Sequence, residues 1–145
     1  MKPETYRKRL FTYPIPKLKQ IADDFCSEYI RRKYADWQGN VACYTCGKVK
    51  NWREQQTGHY ISRTYNNTRY YEPNLRVQCY SCNVEKRGNY TEFAIRLERE
   101  KAGTLEHLDQ WKHRPSTEST RLELIELIFG FKEKLSKLDK PLKID

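Results

Sequence analysis

The first long pattern of hydrophobic and polar positions is helical. Between residues 17 and 34 apolar side chains recur every three or four residues, and most basic side chains lie off that stripe. Pro16 stands where a helix can begin, and Asp36, Gly39 and Asn40 follow where it should end. The apolar stripe consists of Leu18, Ile21, Ala22, Phe25, Tyr29 and Ile30. We expect Cys26, beside this stripe, to be an inert buried thiol.

A region of short strands and turns is predicted from residue 41 to residue 89. Its sequence lacks the spacing of a long helix, and short apolar segments alternate with polar turns. Residues 63–73 are polar and aromatic, so we expect a loop there that turns at Asn66 and Asn67. The segments with the strongest strand pattern are 41–43, 58–62 and 75–79.

Helices are predicted after this region. A short helix covers residues 83–87 and ends at Gly88, since glycine commonly terminates helices. A longer helix carries Phe93 and stops at Gly103, and Thr104 is positioned to cap the next one.

The last predicted helix runs from about Thr117 to Leu138 and is apolar on more than one face. A surface helix of a monomer usually has a single apolar face. Two such faces favour contact with both the domain and a second copy of the chain, and hence a homodimer. Deep burial within one chain is the alternative.

The first 16 residues are predicted to form an extended arm. They are rich in basic and aromatic side chains, and Pro14 and Pro16 favour extended backbone. Such an arm could follow DNA or a partner subunit, and a solvated tail is the alternative.

These elements predict an α+β protein. We divide it into a basic arm and N-terminal helix (1–40), a central strand-and-turn core (41–90) and a C-terminal helical region (91–145) that could mediate dimerisation. The whole chain has the length of about one domain.

Composition points to a nucleic-acid partner. The chain has 28 basic and 19 acidic residues, for a net charge of +9, and 13% of its residues are aromatic. Such a surface suits a polyanion, and a merely solubilising charge is the alternative. No long apolar run or signal-like N-terminus is present, so we expect no membrane span and a cytoplasmic location, in the host cell if a phage encodes the protein.

Four cysteines have the spacing of a zinc site. Cys43 and Cys46 form one Cys-x-x-Cys pair, and Cys79 and Cys82 form a second pair 32 residues further on. Four thiolates complete a tetrahedral shell and leave no open position, so the predicted zinc is structural. A redox pair is the less favoured interpretation.

Further residues of the same stretch resemble a nuclease family. The segments CYTCG, QTGHYISR and RYYEPNLRVQCYSCNVEKRGN are similar to those of the phage NinG/Rap recombination proteins, over roughly residues 41–100. The shared pattern combines a glycine-histidine segment, an Asn-x3-Gln-Cys segment and a terminal Cys-Asn with Lys and Gly-Asn. The order of His59, Asn74 and Asn83 also resembles HNH endonucleases, whose fold is the ββα-metal fold. The resemblance implies a zinc-stapled ββα-metal core flanked by helices.

The resemblance also implies an activity and residue roles. It implies a structure-specific endonuclease that cuts branched DNA, such as Holliday junctions and D-loops. His59 would be the general base, a task that suits a side chain that titrates near neutrality. Asn74 would hold the hairpin and help orient the His59 ring. Asn83 would offer an oxygen to a catalytic Mg²⁺ or Mn²⁺ ion. His107 and His113 are interpreted as structural.

One position departs from the HNH pattern. The residue before the histidine is often a metal-binding Asp, Glu or His, and here it is Gly58. The nearest acidic candidates for the missing ligand are Glu72 and Glu85, and Glu54 lies further off. Gly58 also favours an alternative function, a non-catalytic zinc-containing DNA-binding accessory protein. An ordinary HNH nickase acting on duplex DNA is a further alternative.

Charge placement suggests how DNA would bind. Basic side chains surround the predicted site and can pair with phosphates without reading sequence, and no segment resembles a recognition helix. Tyr65, Tyr70 and Tyr71 could pack on sugars or unpaired bases. The predicted DNA-binding residues are Arg63, Arg69, Arg76, Lys86 and Arg87.

Overall fold

The computed structural model describes residues 1–116 and 118–139 and has the predicted α+β composition. Its contacts divide the chain into two units. The helical unit comprises Met1–Tyr29 together with the chain from Glu118 onwards, and the central unit comprises Ile30–Thr117. The predicted core, 41–90, lies wholly within the central unit. No helix in the described part of the chain is long and apolar enough to span a bilayer.

The N-terminal arm is helical, which corrects the prediction of an extended segment. Helix α1 spans Pro3–Leu10. Pro3 stands in the first turn, where its missing N–H has no helical partner to lose. Glu4 and Lys8 form an ion pair one turn apart, at 3.3 Å, and the Tyr6 ring packs edge-on against Phe129 at 5.9 Å.

Helix α2 spans Ile15–Lys33, close to its predicted bounds, and the boundary between the two units falls inside it. Pro16 stands in its first turn, as expected. Buried side chains recur every four residues along α2. They are Leu18, Ala22 and Ile30 of the predicted stripe, together with Cys26 beside it.

The last helix, α6, spans Arg121–Leu138. A capping box sets its start: the Thr120 hydroxyl accepts from Glu123 N–H, and the Glu123 carboxylate accepts from Thr120 N–H. Thr117, where the sequence placed the start, lies outside the described residues. Phe129, on the second apolar face, contacts Tyr6 of α1. That face is thus partly covered by a helix that the sequence did not predict.

The central unit contains two separate antiparallel hairpins. In the first, β1 (Asn40–Ala42) pairs with β2 (Val49–Asn51). In the second, β3 (Gln56–His59) pairs with β4 (Leu75–Gln78). The sequence located β1 and β4, placed β3 two to three residues late and missed β2. A three-residue strand with an exposed Val49 carries too little alternation to be recognised.

The connection between β3 and β4 is more ordered than the predicted loop. It contains helix α3 (Asn66–Arg69) and a 3₁₀ turn (Glu72–Asn74). After β4 the chain forms one turn of π-helix, Ser81–Glu85, where a short helix over residues 83–87 was predicted. Gly88 ends it with φ of +96°, a conformation that favours glycine.

Two helices that contact each other complete the central unit: α4 (Tyr90–Glu100) and α5 (Thr104–Lys112). Their core consists of Phe93, Leu97 and Leu108. The N-terminus of α5 is capped by Glu98, whose carboxylate accepts from Gly103 N–H at 3.0 Å and from Leu105 N–H at 2.8 Å. Gly103 occupies the N-cap position predicted for Thr104.

Candidate functional site

The four paired cysteines converge at one point. Their sulfur atoms all lie within 4.8 Å of one another, and Cys46 is the exposed member of the group. The first pair follows β1, where Gly47 N–H donates to Cys43 C=O across a tight turn. The second follows β4, where Cys82 N–H donates to Cys79 Sγ at 3.4 Å. The two hairpins thus each supply half of a tetrahedral thiolate site.

The surroundings of Cys43 and Cys46 shift the pKa values of these two thiols in opposite directions. Burial opposes ionisation of Cys43, but hydrogen bonds from the Thr45 hydroxyl and nearby backbone N–H groups lower the pKa of this thiol to about 6. Burial, together with hydrogen bonds to the other three cysteines, raises the pKa of Cys46 to about 12. A divalent ion would replace the protons that such thiols share. The donor set fits zinc with four sulfur ligands.

A buried glutamine ties the two halves of the cysteine site together. The Gln78 amide nitrogen donates to the Thr45 hydroxyl at 3.1 Å and to Gly88 C=O at 2.8 Å. Thr45 in turn contacts Cys43 Sγ at 3.5 Å, within the first knuckle. Gln78 itself is fully buried. It therefore links the first knuckle to the turn that ends the π-helix.

His59 is the last residue of β3, and its ring is held by the backbone of α3. Its Nε2 lies 2.9 Å from the carbonyl oxygen of Arg69. A carbonyl can only accept, so Nε2 carries the hydrogen and Nδ1 carries the lone pair in the neutral ring. This tautomer is the one in which Nδ1 can take a proton.

Asn74 is fully buried and fastens the connection between β3 and β4. Its Oδ1 accepts from Ile61 N–H at 2.7 Å, and its Nδ2 donates to Ile61 C=O at 3.0 Å and to Thr68 C=O at 3.1 Å. Thr68 directly precedes Arg69, whose carbonyl contacts His59. Asn74 thus fixes the backbone next to the ring's hydrogen-bond partner.

Asn83 lies on the π-helical turn and reaches β3. Its amide nitrogen donates to Gln56 Oε1 at 2.7 Å, three residues before His59. The amide oxygen is therefore the atom with which Asn83 could bind a cation. In the strand register, Gln56 and Gly58 share one face of the hairpin with Gln78. Asn83 approaches that face.

The position of Gln78 explains why the residue before the histidine is a glycine and not an acidic side chain. A Cβ atom at this position would lie 2.0 Å from Gln78 Oε1, so the amide oxygen occupies the space of the missing side chain. Gly88 C=O requires a donor, which fixes the amide with Oε1 toward Gly58. Within the described residues, Oε1 is buried without a hydrogen-bond partner. An orphaned buried oxygen is the kind of group that a cation or ordered water satisfies.

Of the acidic candidates, Glu72 pairs with Lys33 at 3.2 Å, Glu54 is exposed, and Glu85 is exposed on the π-helical turn that carries Asn83. None of the three belongs to the cysteine group, which is the one cluster of metal-binding side chains found in the described residues. Gln78 was overlooked as a candidate, although the Asn-x3-Gln-Cys segment contained it.

Four of the five predicted DNA-binding residues are exposed or half-buried, and the fifth, Arg76, is paired with an acidic side chain. Arg63, Lys86 and Arg87 are exposed, and Arg69 is half-buried. Arg87 follows the π-helical turn with φ of +50°. Arg63 and Arg69 lie in the connection between β3 and β4, where the Arg69 carbonyl contacts His59. Lys86 and Arg87 directly follow the turn that carries Asn83.

Arg76 is bound within the protein. Its guanidinium contacts the Glu100 carboxylate at 2.9 Å and lies 5.3 Å from the centre of the Tyr44 ring. Burial opposes ionisation of Glu100, but hydrogen bonds from Tyr44 and Arg76 lower the pKa of its carboxyl. The pair connects β4 to the end of α4.

The aromatic residues also divide. Tyr71 stacks on Trp111 with ring centres 4.4 Å apart, and its hydroxyl lies 2.7 Å from His107 Nε2, so this group is structural. Tyr65 is 44% exposed and carries the Lys112 ammonium 4.2 Å from its ring centre. It lines an open cleft of about 400 Å³ together with Tyr60, Ile61, Ser62, Tyr90, Leu105, Asp109 and Lys112. The cleft begins at the residue after His59.

Comparison with known protein families gives a match over most of the chain. The family described as Bacteriophage Lambda NinG protein matches residues 5–141. Neither the curated proteins nor the solved structures contain a significant match.

Proposed function

The chain belongs to the family of the bacteriophage lambda NinG protein, a recombination-related phage family, and on this premise we propose that it is a metal-dependent DNA endonuclease. Its substrates are branched recombination intermediates such as Holliday junctions and D-loops. The observation that carries the proposal is the His59 ring, whose Nε2 contact with Arg69 C=O leaves Nδ1 as the basic nitrogen.

In the proposed reaction a water molecule is activated by His59. The water oxygen attacks phosphorus while its proton moves to Nδ1 of His59, and the bond between phosphorus and the 3′ oxygen breaks. The products are a 5′-phosphate and a 3′-hydroxyl, whose proton comes from solvent. Asn74 contributes by positioning, because it fixes the backbone beside the carbonyl that holds the ring.

The side-chain oxygen proposed for a catalytic cation is Asn83 Oδ1, since Asn83 Nδ2 is used in the bond to Gln56. When bound, Mg²⁺ or Mn²⁺ would supply charge stabilisation at the scissile phosphate and the departing oxygen. A single neutral ligand makes a weak site that relies on waters and DNA phosphates, which is typical of Mg²⁺.

The four-cysteine zinc has a structural role in this proposal. It joins the β1–β2 hairpin, which supplies Cys43 and Cys46, to the segment after β4 that supplies Cys79 and Cys82 and leads to Asn83. A closed sulfur shell offers no position for water or substrate.

DNA contact is assigned chiefly to the exposed cations Arg63, Lys86 and Arg87, with Arg69 beside them. Arg76 contributes less, because Glu100 already neutralises its guanidinium. The Tyr65 cleft could accept a sugar or an unpaired base. A homodimer would present two His59 sites to the two symmetric strands of a four-way junction.

One observation favours a second function, a zinc-containing DNA-binding accessory protein without catalysis. Gln78 blocks the position from which many HNH enzymes supply a charged metal ligand. An HNH nickase acting on linear duplex is the other enzymatic alternative.

A cleavage assay tests the proposal. Junction, flap and linear duplex DNA of one sequence are incubated with wild type, His59→Ala and His113→Ala, with or without added Mg²⁺. We expect Mg²⁺-dependent cutting of the branched DNA, and a loss of at least about 100-fold in His59→Ala, since a general base contributes about that much or more. His113 is the exposed residue that caps the C-terminus of α5 and serves as the matched control.

The outcomes separate the candidate functions. Absence of cutting by the wild type would leave the accessory protein. Equal cutting of linear duplex would favour the nickase, and full activity of His59→Ala would remove the assigned base.

A further inference from the structure

Trp37 is the most exposed large apolar side chain of the described residues. Its exposed fraction is 92%. Tryptophan normally buries most of its surface and dominates the energetics of interfaces where it occurs. A ring exposed to this degree on a folded loop is therefore a candidate binding element.

The loop that presents Trp37 is firmly held. Asp36 Oδ1 accepts from Gln38 N–H at 3.0 Å and from Asn40 N–H at 2.9 Å, and Asp36 N–H donates to Asn40 C=O at 2.8 Å. Gly39 has φ of +84°, which the turn requires. The ring thus projects from a preorganised turn, which reduces the entropy lost on binding.

The turn that presents Trp37 contacts Trp52, whose ring has three arginine side chains close to it. Gly39 C=O accepts from Trp52 N–H at 2.8 Å, and a Cβ at Gly39 would lie 3.4 Å from the Trp52 ring. The guanidinium groups of Arg31, Arg32 and Arg53 lie 5.3, 5.6 and 4.4 Å from the centre of that ring.

The charge beside the turn is predominantly positive. Arg31 also donates to Trp52 C=O at 2.9 Å, so the guanidinium is fixed in place. Acidic residues of this region include Asp36, whose Oδ1 accepts the turn's own N–H groups, exposed Glu54, and Glu28, which lies one turn before Arg31 and Arg32 on α2. An exposed aromatic ring on a turn that contacts an arginine-bearing tryptophan matches an unstacked base flanked by phosphates.

We propose that Trp37 stacks on an unpaired nucleobase of branched DNA while Arg31, Arg32 and Arg53 hold the phosphates beside it. The inference rests on the DNA-binding part of the proposed function and is independent of catalysis. A second copy of the chain is a poorer occupant, because a two-fold contact through Trp37 would bring two arginine groups of like charge together. The net charge of +9 also favours a polyanion.

Binding measurements without added Mg²⁺, where no cleavage is expected and the structural zinc is retained, test this inference. Affinities of wild type, Trp37→Ala, Trp37→Phe and Phe11→Ala are compared on linear duplex and on the same duplex carrying a three-base bulge. We expect Trp37→Ala to lose about 10-fold or more affinity for the bulged DNA and little for the duplex, because stacking requires an unpaired base. Trp37→Phe should retain most of the preference. Phe11→Ala, which removes another exposed ring, should leave it unchanged.

A second measurement addresses the arginines. Arg53→Ala should weaken binding to both DNAs and reduce the slope of log affinity against log salt by about 1, the effect of one phosphate contact. Zinc content and circular dichroism establish that each variant is folded.

Three results would overturn the inference: unchanged bulge preference in Trp37→Ala, equal loss on both DNAs, or an effect confined to self-association. The nuclease proposal can fail separately. If the wild type cuts no DNA in Mg²⁺ but Trp37→Ala still loses the bulge preference, the stacking site stands and the catalytic assignment falls.

Discussion

At the scale of single residues, Gly58 and Gln78 act as one steric unit. The glycine is needed because the glutamine amide fills its side-chain space, and the amide is held there by Thr45 and Gly88. The same geometry leaves no room for a side chain, and therefore for a charged ligand, at residue 58. One buried glutamine thus links the first cysteine knuckle to the strand that carries His59.

A double-mutant cycle tests this steric pairing. Gly58→Ala alone should lower the free energy of unfolding by about 1–3 kcal/mol, the usual cost of overpacking. In a Gln78→Ala background the added methyl group has room, so the same change should cost less, with a coupling energy of about 1 kcal/mol. Urea unfolding in excess zinc measures all four variants.

Gly130→Ala provides the matched control. An added Cβ there has no heavy atom within 4 Å outside its own helix backbone, and helical Ala is favoured over Gly by about 0.5–1 kcal/mol. This variant should be stabilised. Strict additivity of the Gly58 and Gln78 changes would contradict the steric account.

At the scale of elements, the π-helical turn positions Asn83. The turn begins at Ser81, between Cys79 and Cys82, and ends at Glu85, three residues before Gly88. A π-turn adds one residue relative to an α-turn and is frequently found at functional sites. Here the turn brings Asn83 to Gln56 of β3.

The capping box of α6 gives a prediction at this scale. Thr120→Ala removes the acceptor for Glu123 N–H and should lower the free energy of unfolding by about 1 kcal/mol. Thr120→Ser keeps the hydroxyl and should remain close to wild type. Urea unfolding followed by circular dichroism makes the comparison. Equal stability of the alanine and serine variants would show that the hydroxyl does not set the helix start.

At the scale of the whole molecule, zinc should stabilise the central unit far more than the helical unit. All four thiols belong to the central unit, and the helical unit has its own buried residues on α6, such as Leu124, Ile128 and Leu135. Metal binding at a structural site contributes directly to folding free energy.

Removal of zinc should therefore destabilise the central unit more than the helical unit. A strong chelator should reduce hydrogen-exchange protection of the amides in β3 and β4 before that of α6. Cys79→Ser should abolish stoichiometric zinc, whereas Cys26→Ser, which changes the fifth and buried cysteine, should retain it. Metal analysis and hydrogen exchange with mass spectrometry provide the readouts. Uniform loss of protection, or normal zinc in Cys79→Ser, would contradict this division.

Local patterns allowed much of the fold to be predicted. The α2 stripe, the strands β1 and β4, the α+β class and the cysteine cluster follow from spacing, because side-chain periodicity and ligand spacing are properties of short segments. The helical arm was mispredicted because its helix depends on a long-range partner: Tyr6 packs on Phe129, more than a hundred residues away.

The sequence by itself determined the group of four cysteines, the family resemblance and the identity of His59, Asn74 and Asn83 as candidates. Only the tertiary structure decided what those residues touch. The His59 tautomer depends on Arg69 C=O, the space at Gly58 depends on Gln78 from the neighbouring strand, and the exposure of Trp37 depends on a turn held by Trp52. Each is a contact between segments distant in the chain, and no local pattern encodes the distance between them.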